Sequence, residues 1–337
     1  MNPYFEKFRN MKPYFKIDED EWTYIKENFT KEDIKESLVK VLMEYEPPFM
    51  DISKKDCFDD YRKLKGVRWN DLYINKQWFA RSEYEWDRSD NLIKRLNVGN
   101  KASNYFQQEN RWSVDGTVSP GPIRTWNSEK GLRKYICSQF KPNVAKVIYD
   151  KYKCKNVLDF SAGWGDRLCG FYASDYGKLF VGIDPRKENH PIYKQQAEFY
   201  QKHSTLFETE KKSEFICEPA EDADLSKYEG MMDIVFTSPP YFTVERYSHD
   251  DTQSWVRYKE IDSWNKNFLH KAVKKAWKCL QKGGILLVNI SDVNATSNGK
   301  KEWLKICDPM NNYIDTFEDS EYVECFGMEM AKRPNSI

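Results

Sequence analysis

The strongest constraint on how this chain can fold is the alternation that begins after residue 131. Short apolar runs recur there, each followed by a segment with helical spacing. NVLDF (156–160), LFVGID (179–184), the start of SEFICEPAEDADL, MMDIVFT and ILLVNIS read as strands. RLCGFYASDYG, PIYKQQAEFYQKH and DSWNKNFLHKAVKKAWKCLQKGG read as helices between them. The last places Trp264, Phe268, Ala272, Ala276, Trp277 and Leu280 on one face, with Gly283-Gly284 as its expected stop. LRKYICSQFKPNVAKVIYDKY, ahead of the first strand, reads as one or two helices. Strands alternating with helices predict an α/β fold: a Rossmann-like, mostly parallel sheet with helices on both faces. Such sheets bind ligands beyond the carboxyl ends of their strands.

Residues 1–120 lack that rhythm and read as a mainly helical, mixed accessory lobe; 121–337 are expected to form the sheet domain. TKEDIKESLVKVLMEYE opens with Thr30 as an N-cap, continues with Ile34, Leu38, Val41, Leu42 and Tyr45 at helical spacing, and stops at Pro47-Pro48. SVDGTVSPGPIRTWNSEKG (113–131) reads as a hinge. Net charge is +0, so the chain as a whole has no pull toward polyanions. Lys and Arg nevertheless outnumber Asp and Glu over 62–146. KGVRWNDLYINKQWFARSEYEWDR interleaves those cations with aromatics, as a nucleic-acid surface does. Most aromatics must simply pack. The eight cysteines form no C-x-x-C pair and no Cys/His cluster, which predicts reduced thiols, no metal site and a cytoplasmic protein. No apolar run reaches the ~20 residues that span a bilayer, so no membrane contact is expected.

The polar residues at the strand ends suggest chemistry. Asp159 ends the first strand, and Gly163 and Gly165 allow backbone to approach a ligand before the next helix opens. Asp184, just before Pro185, ends the second strand about 20 residues later, where a carboxylate accepts ribose hydroxyls. Glu221 and Asp222 follow the third and suit an adenine amino group. Together they point to an adenosine-type ligand. The fourth strand ends in TSPPYF. Pro239 and Pro240 have no N–H and hold their carbonyls in fixed directions, and Ser238 adds a hydroxyl. That rigid acceptor set suits a planar amino group, with Tyr241 stacking on the ring that carries it. Hydrogen bonds that draw its protons away favour tetrahedral nitrogen and free the lone pair. Phe242, Arg246 and Tyr247 follow as candidate walls of the base pocket.

This combination resembles the class I S-adenosylmethionine-dependent methyltransferases, and more narrowly the DNA methyltransferases that modify cytosine N4 or adenine N6. The glycine motif of that family is matched by Asp159, Ser161, Ala162, Gly163 and Gly165, and its catalytic motif by Ser238, Pro239, Pro240 and Tyr241. The resemblance implies S-adenosylmethionine as cofactor, with S-adenosylhomocysteine as product, and Asp184 on its ribose. It also implies that Ser238 and the Pro239 carbonyl hold the target amine, and that Phe140 and Lys141 help wall the methionine end. The chain departs from the pattern with Phe160-Ser161, Trp164 and Asp166-Arg167. The serine form of the catalytic motif leans toward cytosine N4. DNA is the expected partner. RNA bases, protein amides and a non-catalytic nucleic-acid-binding subunit are the alternatives.

Overall fold

In the computed structural model, residues 19–30, 32–33, 52–79, 88–94, 96–107, 118–119, 133–134, 139–204 and 210–329 are described. The chain divides into two units, one of 1–51, 111–138 and 246–248, and one of 52–110, 139–245 and 249–337. In the smaller, α1 spans Glu19–Asn28. Thr30 then caps a following helical turn: its Oγ1 accepts from the Asp33 N–H at 3.2 Å, and Asp33 Oδ2 accepts from the Thr30 N–H. The apolar positions from Ile34 to Tyr45 lie outside the described residues.

The larger unit opens with α2 (Lys54–Gly66), the strands β1 (Tyr73–Phe79) and β2 (Arg88–Ile93), and α3 (Asn100–Gln107). Here the structure departs from a division at residue 120, because 52–110 pack with the sheet domain. Tyr61, Leu64, Leu72 and Ala102 share one core with Val144, Leu168 and Tyr200. Asp60 on α2 caps α3, accepting from the N–H groups of Lys101 (2.7 Å) and Ala102 (3.2 Å). In the smaller unit, the two-residue strands β3 (Val118–Ser119) and β4 (Arg133–Lys134) pair across the expected hinge, most of which lies outside the described residues. Of the one or two helices expected over 132–152, the described residues hold α4 (Pro142–Lys151), with proline at a position that needs no N–H.

The alternation then appears in full: β5 (Asn156–Asp159), α5 (Asp166–Ala173), β6 (Leu179–Ile183), α6 (Asn189–Lys202), β7 (Lys212–Ile216), β8 (Met232–Thr237), α7 (His270–Cys279) and β9 (Leu280–Val288). The five strands stand in the order β7-β6-β5-β8-β9, and all pairings are parallel. The chain winds one way from β5 and then the other from β8, so the switch point lies between those two strands. Trp264, Phe268, Ala272 and Ala276 are buried as expected. Helix α7 nevertheless closes at Cys279: Leu280 turns extended and pairs with Met232. Gly283 and Gly284 therefore fall inside β9, where the register slips between Met232 and Ile234. A hairpin of β10 (Val293–Ser297) and β11 (Lys300–Leu304) follows, and α8 (Cys307–Ile314) comes after it. The strand β12 (Gly327–Met328) adds to β2.

Candidate active site

The loop after β5 is pinned from beneath. Gly163 O accepts from Asn189 Nδ2 (2.9 Å) and the Tyr193 hydroxyl (2.5 Å), and Trp164 O accepts from Gln107 Nε2 (3.0 Å). The Ala162 N–H reaches Ile183 O at 2.9 Å. Gly165, at φ +78°, caps α5 in a backbone conformation that favours glycine, and a Cβ there would have to displace the Gln196 amide 2.0 Å away. At Gly163 (φ +57°) a Cβ would meet nothing nearer than Ser161 O at 3.7 Å. No side chain among the described residues crowds the space over Gly163, although its carbonyl and its N–H are both hydrogen-bonded within the protein.

Asp159 does not face that space. It is 0% exposed, and its carboxylate accepts from Arg167 Nε (2.7 Å) and the Ser161 N–H (3.2 Å). Arg167 also donates to Ser161 O. The expected cofactor contact at Asp159 is thus corrected to a brace under the loop, and the departure at Asp166-Arg167 acquires a reason. Arg167 neutralises Asp159, while Asp166 Oδ1 accepts from Ser103 Oγ on α3 and from Gln139 Nε2 (2.6 Å). The Arg167 guanidinium lies 5.1 Å over the Phe140 ring, which meets Phe236 edge-on.

Asp184 Oδ2 accepts from the Gly163 N–H and Oδ1 from the Arg186 N–H, both at 2.9 Å. Burial pushes its carboxyl up to about 6 against the pull of those two N–H groups. Each oxygen keeps lone-pair capacity for a hydroxyl donor. Pro185 begins the turn toward α6. Arg257 reaches Glu221 Oε1 at 2.5 Å and Asp222 Oδ2 at 2.8 Å, while the buried Glu221 Oε2 has no hydrogen-bond partner among the described residues and keeps its capacity to accept from an amine. Burial raises the Glu221 carboxyl as well.

Strand β8 ends at Thr237, whose carbonyl accepts the Asn289 N–H at 2.9 Å. Ser238 and Tyr241 are half-buried around a buried Pro239. Pro240 O accepts the Phe242 N–H at 3.0 Å, and Tyr241, at φ −85° and ψ 71°, is the apex of an inverse γ-turn. Phe242 then adopts φ +48° and is 0% exposed, edge-on to Trp264. The expected pocket wall at Phe242 is corrected to a core anchor, whose packing holds an uncommon backbone conformation beside the corner. The Tyr241 N–H points at Glu245 Oε2 (3.3 Å). Burial, with Glu245 adding to it, raises the Tyr241 phenol to about 12, so it stays neutral near pH 7. Sequence reasoning missed Asn289, whose Nδ2 donates to Ser238 Oγ (3.0 Å) and Tyr241 Oη (3.2 Å). Its only signal was its place at the end of the fifth strand, at the same edge as the corner. Arg246 and Tyr247 belong to the smaller unit, and their substrate role stays a proposal.

Residues 232–327 match a family described as DNA methylase, of the N6/N4 type. That span holds the whole corner, together with β9 and the hairpin. The chain's five-stranded parallel sheet, with helices between its strands, is a Rossmann-like α/β fold. No curated protein matches the chain. Among solved structures, the YcgJ protein of Bacillus subtilis is 16% identical at a TM-score of 0.28, over 43% of this chain and 48% of that one. A methyltransferase from Geobacter sulfurreducens is 14% identical at 0.31, over 55% and 71%. The S-adenosylhomocysteine-bound methyltransferase PaMTH1 of Podospora anserina is 14% identical at 0.29, over 58% and 71%. The chain thus spans about half the length of the first of these, and none bears on what it acts on. No helix among the described residues is long and apolar enough to cross a membrane.

Proposed function

We propose that this chain is an S-adenosylmethionine-dependent methyltransferase that acts on the exocyclic amino group of a base in DNA, cytosine N4 or adenine N6, with the serine at 238 leaning toward cytosine. The observation that carries this reading is the corner Ser238-Pro239-Pro240-Tyr241, rigid and polar, beyond β8 at the switch point of the sheet and beside the open glycine loop. The described residues fit S-adenosylmethionine. The uncrowded space at Gly163 and an Asp184 carboxylate with lone pairs to spare match an adenosine with vicinal hydroxyls. When bound, the cofactor supplies a methyl group on a cationic sulfur.

The chain itself does the rest. Ser238 Oγ and the Pro239 carbonyl accept the amine protons, and Tyr241 offers its ring to the base. With no N–H at 239 or 240, nothing in the turn competes with the amine for those acceptors. A base inside a duplex reaches this corner only when flipped out. The family description at 232–327 and the basic, aromatic stretch over 62–146 support DNA as substrate. Ser238→Ala and Tyr241→Ala test the roles. Each is expected to lower methyl transfer to DNA about 100-fold with cofactor affinity kept, as measured by calorimetry. Near wild-type turnover in both variants contradicts the reading.

A further inference from the structure

We infer that Asn289 is a positioning residue of this site: its side-chain amide sets the Ser238 hydroxyl and the Tyr241 phenol as a single acceptor arrangement toward the target amine. The inference rests on the reading of Ser238 as the amine's partner.

The backbone of the corner offers its own hydroxyl no donor. Pro239 and Pro240 carry no N–H, and the Tyr241 N–H points at Glu245 Oε2. A serine hydroxyl turns freely unless a neighbour fixes it. The neighbour comes from across the sheet. Thr237 pairs with Val288 in the parallel ladder, and the next N–H, that of Asn289, closes on Thr237 O at 2.9 Å. This backbone bond brings Asn289 opposite Ser238 whatever its side-chain torsions. The Nδ2 group then donates to Ser238 Oγ at 3.0 Å and to Tyr241 Oη at 3.2 Å. An amide nitrogen has two protons, and both are spent on these two oxygens. Each hydroxyl oxygen therefore accepts one bond from Asn289 and retains a lone pair for another donor. At Ser238 that donor is the target amine. The same bonds fix the distance between the amine-holding hydroxyl and the stacking ring. Asn289 thus acts through Ser238 and Tyr241, not on the substrate.

The test compares Asn289→Ala and Asn289→Asp with wild type in methyl transfer to DNA, alongside calorimetric cofactor binding. Aspartate keeps the shape but only accepts, so it reverses both bonds. Both variants are expected to lose kcat by about tenfold or more, with cofactor affinity unchanged. Ser238→Ala/Asn289→Ala is expected to lose less than the sum of the two single losses, since part of the amide's effect passes through that hydroxyl. Wild-type kcat in either single variant, or an additive double variant, overturns the inference. A second readout needs no turnover. In protein carrying 13C-labelled tyrosine, with the signal assigned by Tyr241→Phe, the Tyr241 Cζ resonance is expected to move in both Asn289 variants. If wild type transfers no methyl group to any substrate, the reading of the corner fails. The Asn289 contact is then judged by that resonance alone, and an unmoved signal overturns it.

Discussion

At the scale of single residues, Asp184 links cofactor binding to pH. Its carboxyl is raised to about 6 in the folded chain, against roughly 3.9 in an unfolded one. The folded state therefore holds a proton that the unfolded state has released. This stabilisation is present in full below about pH 4 and is lost as pH rises through about 6. In the proposed site the ionised form is the one that would accept ribose hydroxyls. Cofactor affinity is thus expected to rise between about pH 5 and 7 as stability of the free protein falls, and Asp184→Asn should flatten the calorimetric profile. Affinity that is independent of pH over this range in wild type contradicts the assignment. The place of Asp184 beside the glycine loop was legible because spacing after a glycine turn is a local property of the sequence. Asn289 was not, because its partners come from another strand. Phe242 was misjudged for a related reason: an aromatic next to a catalytic motif looks like a wall until the backbone turns to φ +48° and sends it into the core.

Among the elements, apolar alternation marked the five strands of the sheet, since buried parallel strands are nearly continuous runs of apolar residues. The ends were harder to read. Asn298-Gly299, at φ 51° and 73°, closes the β10–β11 hairpin in a type I′ turn. That dipeptide between alternating residues was the signal available for the hairpin, and the reading stopped one strand short of it. At the end of α4 no glycine marks the cap. Lys153 takes φ +51°, its N–H bonds to Asp150 O at 3.1 Å, and the Cys154 N–H bonds to Tyr149 O at 2.8 Å. This is a Schellman motif with lysine where glycine is usual. Lys153→Gly is expected to stabilise the protein by about 1 kcal/mol, read as a higher urea midpoint with an unchanged slope. A lower midpoint contradicts the cap.

For the whole molecule, the misplaced domain boundary has a physical cause. Helices α2 and α3 carry their apolar residues too sparsely to announce a core, yet they complete the one over α4, α5 and α6. Tyr61 stacks on Tyr200 at 4.8 Å, and the Tyr200 hydroxyl donates to Ala102 O at 3.0 Å. Ser103 and Gln107 of α3 hold Asp166 and Trp164 at the glycine loop. A fragment of residues 121–337 is therefore expected to show no cooperative thermal transition and no cofactor binding, and a sharp transition in that fragment contradicts this account. The central claim is methyl transfer to a DNA amino group, and one measurement tests it most directly. The full chain is incubated with methyl-labelled S-adenosylmethionine and a mixture of double-stranded DNA, single-stranded DNA and RNA, and the nucleosides are then identified by mass spectrometry. Labelled N4-methylcytosine or N6-methyladenine from DNA is the predicted result. Label confined to RNA or to protein, or no label despite cofactor binding, contradicts it.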